Sequence, residues 1–319
     1  MSKLRSLSKE ADSILIAGHL RPDGDCTGAC IASYHYLHTL YPEKRIMVYM
    51  EKLPETFRFM DPEGSIVSNE VPEEDVDLFL SVDCSSPDRL GKAEEVFYRA
   101  ENTVCVDHHI SNKGYASQNF VVPQASSTCE VLFDLMEEEL IDTKIAEALY
   151  IGIIYDSGVF RYSNTSRHTM EIAGTLMEKG IPFWKYIDEC FYQRTYIQTQ
   201  LLGRTLLTSM RLMDGKCIVA TITRRMMEFY GAVTEDIDGI IDQLRVTQGI
   251  EVALLLHETG EQEYKVSMRS NHYVDVSKIA VYFGGGGHVK AAGCTMRGSL
   301  HDVVNNITKH IETQMKGNE

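Results

Sequence analysis

Thr103-Val104-Cys105-Val106-Asp107-His108-His109 ends a short apolar run on one acid and two imidazoles. The valines at 104 and 106 are typical of a buried strand, and Ser-Asn-Lys-Gly at 111–114 is typical of the turn that leaves it. In open α/β sheets, ligands bind outside the carboxyl ends of the strands. The stretch therefore predicts a strand end that carries part of a functional site.

Three further apolar runs, at 13–17, 78–82 and 149–154, are also followed by ionisable side chains. The side chains that follow these runs are His19, Asp23, Asp25, Asp83 and Asp156. With the first stretch they give four strand-end positions that are far apart in sequence. Since the carboxyl ends of parallel strands share one edge of a sheet, we expect all four positions to converge on one crevice.

Strands and helices alternate along the first part of the chain. Apolar periodicity predicts helices at 3–12, 26–40, 91–101, 128–139, 143–155, 167–179 and 183–190. It predicts strands at 13–17, 45–50, 78–83 and 103–107, and no regular element at 51–77. Alternation of this kind implies parallel pairing, so residues 1–190 are expected to form a three-layer α/β domain with a parallel sheet.

A second, smaller domain is predicted after a helical linker at 191–210. Residues 211–319 are expected to be α+β, with about the size of an ordinary domain. The predicted strands are 216–222, 251–257 and 264–269, and the predicted helices are 237–245 and 300–315. The glycine segment, residues 284–287, is expected to be a loop, with His288 at the start of a short helical stretch.

Composition narrows the class of protein. The chain has 319 residues, of which 44% are hydrophobic, and a net charge of −15 with no basic tract. Binding to long nucleic acid depends on many lysines and arginines, so a long duplex is not expected as a partner. A substrate with a few phosphates is compatible with this charge.

Targeting and redox signals point to a cytoplasmic protein. The N-terminal segment is charged, and the apolar run at 13–17 is too short for a signal peptide or a membrane span. The eight cysteines form no Cys-x-x-Cys pair, so a zinc ribbon is not expected, and reduced thiols are the simpler interpretation. We read Cys26, Cys84 and Cys105, beside the acids, as small packing residues.

Each ionisable side chain of the site has an ordinary explanation when it is taken alone. Asp23 lies between proline and glycine, where aspartate is common in turns, and His109 could be a core histidine. The whole set is harder to explain in this way, because buried carboxylates repel one another unless cations separate them. It consists of His19, Asp23, Asp25, Asp83, Asp107, His108, His109 and Asp156.

Carboxylates mixed with imidazoles suit divalent Mn, Fe, Co or Zn ions. This many ligands would hold two ions, and a bridging carboxylate would bring them about 3.5–4 Å apart. Such a pair suits phosphoester hydrolysis, because it lowers the pKa of a water between the ions and neutralises phosphoryl charge. No Gly-x-x-x-x-Gly-Lys-Ser/Thr loop or Gly-x-Ser-x-Gly elbow is present.

These motifs, in this order and spacing, resemble the DHH phosphoesterase superfamily, named for the triplet Asp107-His108-His109. The stretch 284–293, Gly-Gly-Gly-Gly-His-Val-Lys-Ala-Ala-Gly, resembles the signature of the DHH-associated C-terminal domain. The resemblance covers nearly the whole chain. The combined motifs are highly specific, whereas Asp-His-His alone is weak.

The resemblance implies a role for each matching residue. His19 and Asp23 would bind one metal ion, and Asp25, His108 and Asp156 the other. Asp83 would bridge the two ions, which in this family are usually Mn²⁺, with Mg²⁺ or Co²⁺ as substitutes. His109 would contact the substrate phosphate or assist the leaving group. Asp107 would orient a ligand histidine through a hydrogen bond.

The second domain is expected to bind the substrate's terminal phosphate. Consecutive glycines can present successive N–H groups to an anion, and arginine can bind phosphate through two bonds. By resemblance, the substrate-binding residues are Arg269, Gly284, Gly285, Gly286, Gly287 and His288. The active site would then lie between the domains. For Arg269 alone, a surface salt bridge is the ordinary alternative.

The function that the resemblance implies is that of the nanoRNase/pAp-phosphatase group. Such an enzyme releases mononucleotides from short oligoribonucleotides and removes the 3′-phosphate of pAp. A phosphodiesterase for pApA or a cyclic dinucleotide shares every motif, and a non-catalytic nucleotide-binding regulator is the alternative from another class. Family II pyrophosphatases and RecJ-type exonucleases fit less well, and a homodimer is compatible with the sequence.

Four further side chains near the motifs have two interpretations each. Arg89 and Arg161 are either charge partners within the fold or phosphate contacts. Tyr115 and Phe160 are aromatic rings that could stack on a base, although core packing is the more common role.

Overall fold

A computed structural model describes residues 2–316, which divide into two compact units with the boundary between Gln193 and Arg194. None of the helices in this range is both long and apolar enough to cross a bilayer.

The first unit alternates strands and helices, as its apolar periodicity predicts. Its strands are β1 (Ser13–Ala17), β2 (Arg45–Tyr49), β3 (Val67–Ser68), β4 (Leu78–Val82), β5 (Asn102–Asp107) and β6 (Gln118–Val121). Its α-helices are α1 (Lys3–Ser8), α2 (Gly24–Leu40), α3 (Ala93–Arg99), α4 (Thr128–Leu135), α5 (Thr143–Asp156), α6 (Arg167–Glu178) and α7 (Phe183–Ile187).

The six strands form one parallel sheet in the order β3-β2-β1-β4-β5-β6. The chain winds outward in one direction from β1 and in the other direction from β4, so the strand order reverses between these two neighbours. Ile14 pairs with Leu78, and Ala17 pairs with Ser81. In doubly wound sheets, the crevice at such a reversal is where ligands bind.

Side chains of the sheet alternate between two hydrophobic cores. Ile14 and Ile16 of β1 are buried in the core that contains α2 and α5, whereas Leu15 is buried with Phe79 and Phe97 on the other face. A strand that is buried on both faces has helices on both sides. The three-layer α/β architecture predicted for this unit is therefore confirmed.

Three features of this unit differ from the predictions. Asp156 is the last residue of helix α5, not a residue that follows a strand. The segment 51–77 contains a 3₁₀-helix, Glu55–Met60, and strand β3. Strand β6 was not predicted, because it is a polar, partly exposed edge strand that lacks the apolar run of the inner strands. Beyond α7, a π-helix spans Asp188–Tyr192.

The second unit has a mixed sheet. Its strands are β7 (Met210–Leu212), β8 (Cys217–Ile222), β9 (Val252–Gly260), β10 (Glu263–Ser270), β11 (Gly286–His288) and β12 (Ala291–Arg297). Its α-helices are α8 (Tyr196–Leu207), α9 (Arg224–Tyr230), α10 (Ile240–Arg245), α11 (Val276–Tyr282) and α12 (Leu300–Lys316). The strand order is β11-β12-β10-β9-β8-β7, with only β8 and β9 parallel.

Two cores cover the faces of this sheet. One contains Ile218 and Ile240 with Leu201 of α8, the helix that occupies the stretch predicted as a linker. The other contains Val219 together with residues of α11 and α12, including Ile307. Helix α8 thus belongs to the second unit, because its buried face packs on that sheet.

The glycine segment differs from its prediction in two ways. Gly286–His288 forms strand β11 against β12, so His288 lies on a strand and not on a helix. The amides of Gly284 and Gly285 donate to the carbonyls of Val281 and Ala280, and these two N–H groups are therefore not available to an anion. A Cβ at residue 285 would lie 2.6 Å from that of Cys294, so close pairing with β12 requires glycine there.

Candidate metal centre

The centre of the site is Asp83, which directly follows β4 at the reversal of strand order. One oxygen of its carboxylate, Oδ2, lies 3.4 Å from His19 Nε2. The other oxygen, Oδ1, lies 3.8 Å from His108 Nε2 and accepts a hydrogen bond from the Thr128 hydroxyl at 3.0 Å. The two oxygens of Asp83 therefore face two different imidazoles.

Asp25 is held by the start of a helix. Its carboxylate accepts hydrogen bonds from the backbone amides of Thr128 (2.6 Å) and Cys129 (3.0 Å), the first residues of α4. The side chain is fully buried. A buried carboxylate at a helix N-terminus is stabilised by the helix dipole and by otherwise unpaired N–H groups. This contact joins α2 to α4.

His108 approaches three of the predicted acids. Its Nε2 lies 3.0 Å from Asp156 Oδ2 and 3.9 Å from Asp25 Oδ2, in addition to its 3.8 Å contact with Asp83. Helix α5 carries Asp156 to this point at its C-terminal end. An acid from a helix end thus joins acids that follow strands.

The rings of His19 and His108 are oriented in the same way: Nδ1 lies against a backbone carbonyl, and Nε2 lies near Asp83. Nδ1 of His19 is 2.9 Å from the carbonyl oxygen of Leu20, and Nδ1 of His108 is 3.4 Å from that of Ala125. A carbonyl only accepts, so each Nδ1 carries a proton, and each Nε2 is the nitrogen that faces the acids. Metal-binding histidines are commonly oriented in this way.

Asp23 caps a helix and also lies at the edge of the candidate centre. Its Oδ1 caps helix α2 by accepting the amides of Asp25 and Cys26, each at 3.1 Å. The same oxygen is 3.8 Å from His19 Nε2, at the edge of the centre. The thiol of Cys26 is fully buried, which agrees with a packing role, although its sulfur is also close to His19 and Asp83.

Asp107 orients a histidine, but not the one expected from the resemblance. Its Oδ1 is 2.7 Å from Nδ1 of His109 and accepts the backbone amide of His108. The ring of His108 is instead oriented by the Ala125 carbonyl. Asp107 Oδ2 accepts from the side-chain amide of Asn112 at 2.7 Å. Both oxygens of Asp107 therefore have partners, and Oδ1 positions the ring of His109.

The ionisable groups show that the centre has an excess of negative charge. Burial raises the pKa of Asp25, and the charges of Asp83 and Asp156 raise it further. Burial alone would lower the pKa of His19, but its interactions with Asp23 and Asp83 outweigh burial and raise it to about 12. A cation would therefore be stabilised in this cluster.

The donor set fits divalent metal ions. Asp25, His108 and Asp156 offer ligand atoms within 4.8 Å of one another, and so do Asp83, His108 and His109. His19, Cys26 and Asp83 form a third such group. Mixed carboxylate and imidazole donors are typical of Mn, Fe, Co or Zn sites.

Comparison with protein families agrees with the geometry. Residues 13–153 match the model of the DHH family, N-terminal domain, and residues 214–317 match the DHHA1 domain. The chain belongs to the DHH family. The candidate metal centre described above lies within or directly beside the first match, and the glycine segment lies within the second.

Two relatives of this DHH protein share a name. It is 29% identical to the bifunctional oligoribonuclease and PAP phosphatase NrnA of Thermus thermophilus over 293 residues, which cover 89% of this chain and 84% of the Thermus protein. It is 26% identical to the Bacillus subtilis protein of the same name, over 97% of this chain and 96% of that one.

A solved structure shares the fold of this DHH protein. The exopolyphosphatase-related protein of Bacteroides fragilis matches with a TM-score of 0.85 and 22% sequence identity. The match covers 97% of this chain and 94% of the Bacteroides chain. At this identity, the similarity shows the fold and does not identify the substrate.

In the second unit, the sheet register relates Arg269 to His288. Arg269 pairs with Ala291 on β12, and Ala291 pairs with His288 on β11. Residues directly opposite each other in antiparallel strands point to the same face. Arg269 and His288 therefore share one face of the sheet. Arg269 also lies 3.6 Å from Asp242 through its Nε, so the ordinary ion-pair explanation has some support.

The remaining predicted side chains divide between structure and surface. Tyr115 is part of the fold, since its hydroxyl contacts Ser81 Oγ (2.6 Å) and donates to the Cys84 carbonyl (2.9 Å). Phe160 packs against the first hydrophobic core. Arg89 and Arg161 are exposed and form no ion pair among residues 2–316.

Sequence reasoning missed the residues that support the site from outside. Thr128 contacts both Asp25 and Asp83, and Asn112 binds Asp107. Thr128 lies in the stretch Ser126-Ser-Thr-Cys-Glu130, which reads only as a helix start. Asn112 lies in a stretch that reads only as a turn. Their local patterns are fully explained by capping and turn formation, so only proximity reveals the second role.

Proposed function

We propose that this protein hydrolyses phosphate esters at the 3′ oxygen of small nucleotides. It releases mononucleotides from oligoribonucleotides a few residues long and converts pAp to AMP. Two divalent cations, Mn²⁺ in the first place, serve as cofactors. That the chain is a phosphoric ester hydrolase follows from its family, whereas the substrates and the metal are the proposal.

One observation carries the proposal. Both oxygens of a single carboxylate, Asp83, face the Nε2 atoms of two different imidazoles, whose Nδ1 atoms lie against backbone carbonyls, within a cluster of acids. This arrangement suits a carboxylate shared by two cations. The relatives named oligoribonuclease and PAP phosphatase match this chain over most of both lengths, which supports the choice of substrates.

The residues would hold the two ions as follows. His19 and Asp23 bind one ion, Asp25, His108 and Asp156 bind the other, and Asp83 binds both. When bound, the cations lower the pKa of a water molecule and neutralise charge on the phosphoryl oxygens. Ions that prefer oxygen ligands only, such as Mg²⁺, are weaker candidates, because two of the proposed ligands are imidazoles.

Residues beside the ions act on the substrate. Asp107 fixes the ring of His109 through Nδ1, and no hydrogen bond is made by its Nε2 within the described part of the chain. His109 can therefore contact the phosphate, or pass a proton to the departing 3′ oxygen. Arg269 and His288, on one face of the second sheet, bind the terminal phosphate of the substrate.

A substrate panel tests the proposal. The protein is treated with EDTA, supplied with Mn²⁺ and incubated separately with a 5′-phosphorylated triribonucleotide, pAp, pApA and cyclic di-AMP. We expect mononucleotides from the RNA and AMP from pAp, and no turnover without added metal.

The other outcomes are distinct. Turnover confined to pApA or cyclic di-AMP would replace these substrates with those of a dinucleotide phosphodiesterase. Binding of nucleotides with no turnover of any substrate would identify a regulatory protein and overturn the proposal. Asp83→Asn serves as the inactive variant, and Asp88→Asn, an exposed acid five residues further on, is its matched control.

A further inference from the structure

The second unit contains a groove that the proposed function does not use. Its volume is about 720 Å³, and it lies beside the edge strand β7, between the end of α8, helix α9 and the start of α12. Its lining residues are Arg204, Thr208, Met210, Val219, Thr221, Thr223, Arg225, Met226, Phe229, Tyr230 and Leu300. We refer to it as the β7 groove.

The floor of the β7 groove is apolar and open to solvent. The side chain of Phe229 is 79% exposed and that of Met210 is 56% exposed. Val219 belongs to the core on one face of the sheet, and Met226 and Tyr230 pack against the core on the other face, so the groove lies at the β7 edge of the sheet. Exposed apolar side chains gathered in a cavity mark a binding site more often than scattered ones do.

The charge on the groove is the opposite of that of the chain. Arg204 and Arg225 line it, and no acid does. Neither arginine forms an ion pair in the described range 2–316, although the whole chain has a net charge of −15. Unpaired guanidinium groups beside aromatic and thioether side chains suit a ligand with an anionic group and a flat apolar part.

We infer that the β7 groove is a second binding site for a phosphorylated nucleotide. The base packs on Phe229 and the two methionines, Met210 and Met226, and the phosphate binds Arg204 and Arg225. Base–aromatic stacking combined with arginine–phosphate contacts is the usual basis of sequence-independent nucleotide binding. This inference rests on the proposed function in one respect, because that function makes nucleotides the substrates and products.

The β7 groove is distinct from the face that carries Arg269 and His288. Strands β7 and β11 are the two opposite edges of the same six-stranded sheet, about 24 Å apart. One mononucleotide cannot reach both positions. The groove would therefore bind a product molecule or a separate part of a longer substrate.

A second copy of the chain suits the groove less well than a nucleotide does. In a two-fold symmetric contact, the same surface patch meets itself. Arg204 and Arg225 would then share one interface with the same two arginines of the other copy, and like charges gathered at an interface are unfavourable. An anionic ligand removes this repulsion.

Methionine methyl NMR tests the inference directly, because Met210 and Met226 lie in the groove. The full chain is labelled with [methyl-¹³C]methionine, kept in EDTA to prevent turnover, and titrated with AMP. Met210→Leu and Met226→Leu identify the two resonances. We expect both to shift in a saturable manner with AMP, and to shift less at equal concentrations of adenosine or inorganic phosphate.

Variants separate this site from other arginine-containing surfaces. Arg225→Glu and Phe229→Ala should each raise the dissociation constant for AMP, obtained from the titration of the methyl shifts, by about tenfold or more. Loss of one stacked base has an effect of this size. Arg211→Glu is the matched control, since Arg211 is likewise an exposed arginine, but it lies on β7 outside the groove lining and donates to the Gly215 carbonyl. His288→Ala should leave the shift unchanged.

Two results would overturn the inference. The first is the absence of AMP-dependent shifts at both methyls, or shifts that Arg225→Glu leaves unaltered. The second is a change of both resonances with protein concentration alone, which would assign the groove to self-association. Neither result depends on catalysis, so a failure here is distinguishable from a failure of the substrate panel.

Discussion

Asp83 combines a functional position with an unusual backbone conformation. Its φ is +52°, in the left-handed region, and its amide donates to the Val106 carbonyl at 3.0 Å. Such a conformation costs a non-glycine residue on the order of 1–3 kcal/mol and is often found at functional sites. Asparagine and aspartate tolerate it better than other residues. This turn directs the carboxylate between His19 and His108.

Asp83→Asn removes the charge of this carboxylate while the residue can keep its left-handed backbone conformation. We expect the variant to fold, because asparagine accepts the left-handed conformation, and to lose at least 100-fold in turnover of pAp. Asp83→Ala should lose turnover equally but also about 1 kcal/mol more of unfolding free energy. Steady-state kinetics and urea unfolding measure the two effects. Turnover by Asp83→Asn within tenfold of the parent protein would contradict the role assigned to this residue.

Asn112 is expected to act through Asp107 and His109. Asn112→Ala removes the 2.7 Å hydrogen bond to Asp107 and frees the carboxylate that holds the His109 ring. We expect kcat to fall 10- to 100-fold while Mn²⁺ still raises the melting temperature, since no metal ligand changes. Loss of the Mn²⁺ effect would mean that Asn112 supports the ligands themselves.

Asn119→Ala is the matched control for this variant. The side chain of Asn119 also bonds within the same connection, but only to the backbone of Ala116. Its loss should change stability and leave kcat within about twofold of the parent protein.

At the level of elements, the site depends on close packing of α2, α4 and α5. Gly152 of α5 faces this junction, where a Cβ would lie 2.6 Å from Asp25 Oδ1. Gly28 of α2 lies close to the backbone of Ala148. Small residues let the helices approach, and that approach brings Asp25, on α2, and Asp156, on α5, to the same histidine. The acids thus meet through helix packing and not through strand order alone.

Gly152→Ala is expected to damage both stability and metal binding. The added methyl forces Asp25 or its neighbours to move, at a cost of about 1–3 kcal/mol in unfolding free energy. Gly174→Ala is the control, because Gly174 is exposed on α6 and nothing lies within 4 Å of its Cβ position. This control should be unchanged or more stable by about 0.5–1 kcal/mol.

Calorimetry with and without Mn²⁺ distinguishes the two glycine variants. The Mn²⁺-dependent rise in melting temperature should be lost in Gly152→Ala and kept in Gly174→Ala. Equal responses of the two variants would show that packing around Asp25 is not required for metal binding.

For the whole molecule, the concentration of acids in the first unit predicts strong coupling between metal and stability. Ions that bind only the folded state stabilise it by about 2.7 kcal/mol at a hundred times the dissociation constant. We expect Mn²⁺ to raise the melting temperature progressively with concentration, and Asp83→Asn to reduce this effect. A melting temperature that does not respond to Mn²⁺ would contradict the metal centre.

The charge of the whole chain predicts weak salt dependence of substrate binding. If only two phosphates are neutralised, the slope of log affinity against log salt should be about −1.4, the value for single strands. A twenty-residue RNA should bind no more tightly than a trinucleotide, because the net charge of −15 repels further phosphates. A slope steeper than about −4 would indicate a long basic track. Fluorescence anisotropy in EDTA measures both quantities.

Local sequence patterns were sufficient to predict the strands whose own residues are apolar. The apolar runs before His19, Asp83 and Asp107 predicted β1, β4 and β5, because a strand buried on both faces must be apolar throughout. They were insufficient for β6 and β11, whose residues are polar or glycine and are strands only because a neighbour pairs with them. The position of His288 was wrong for this reason.

The sequence alone determined the set of acids and imidazoles and the alternation of strands and helices that makes a parallel sheet. It also indicated that so many acids need cations. Tertiary structure decided which groups face each other: that Asp156 arrives on a helix, that Asp107 holds His109, and that Thr128 joins Asp25 to Asp83. Pairing of this kind depends on distances of about 3 Å between elements far apart in sequence. Propensity and periodicity act only over neighbouring residues, so they cannot specify such contacts.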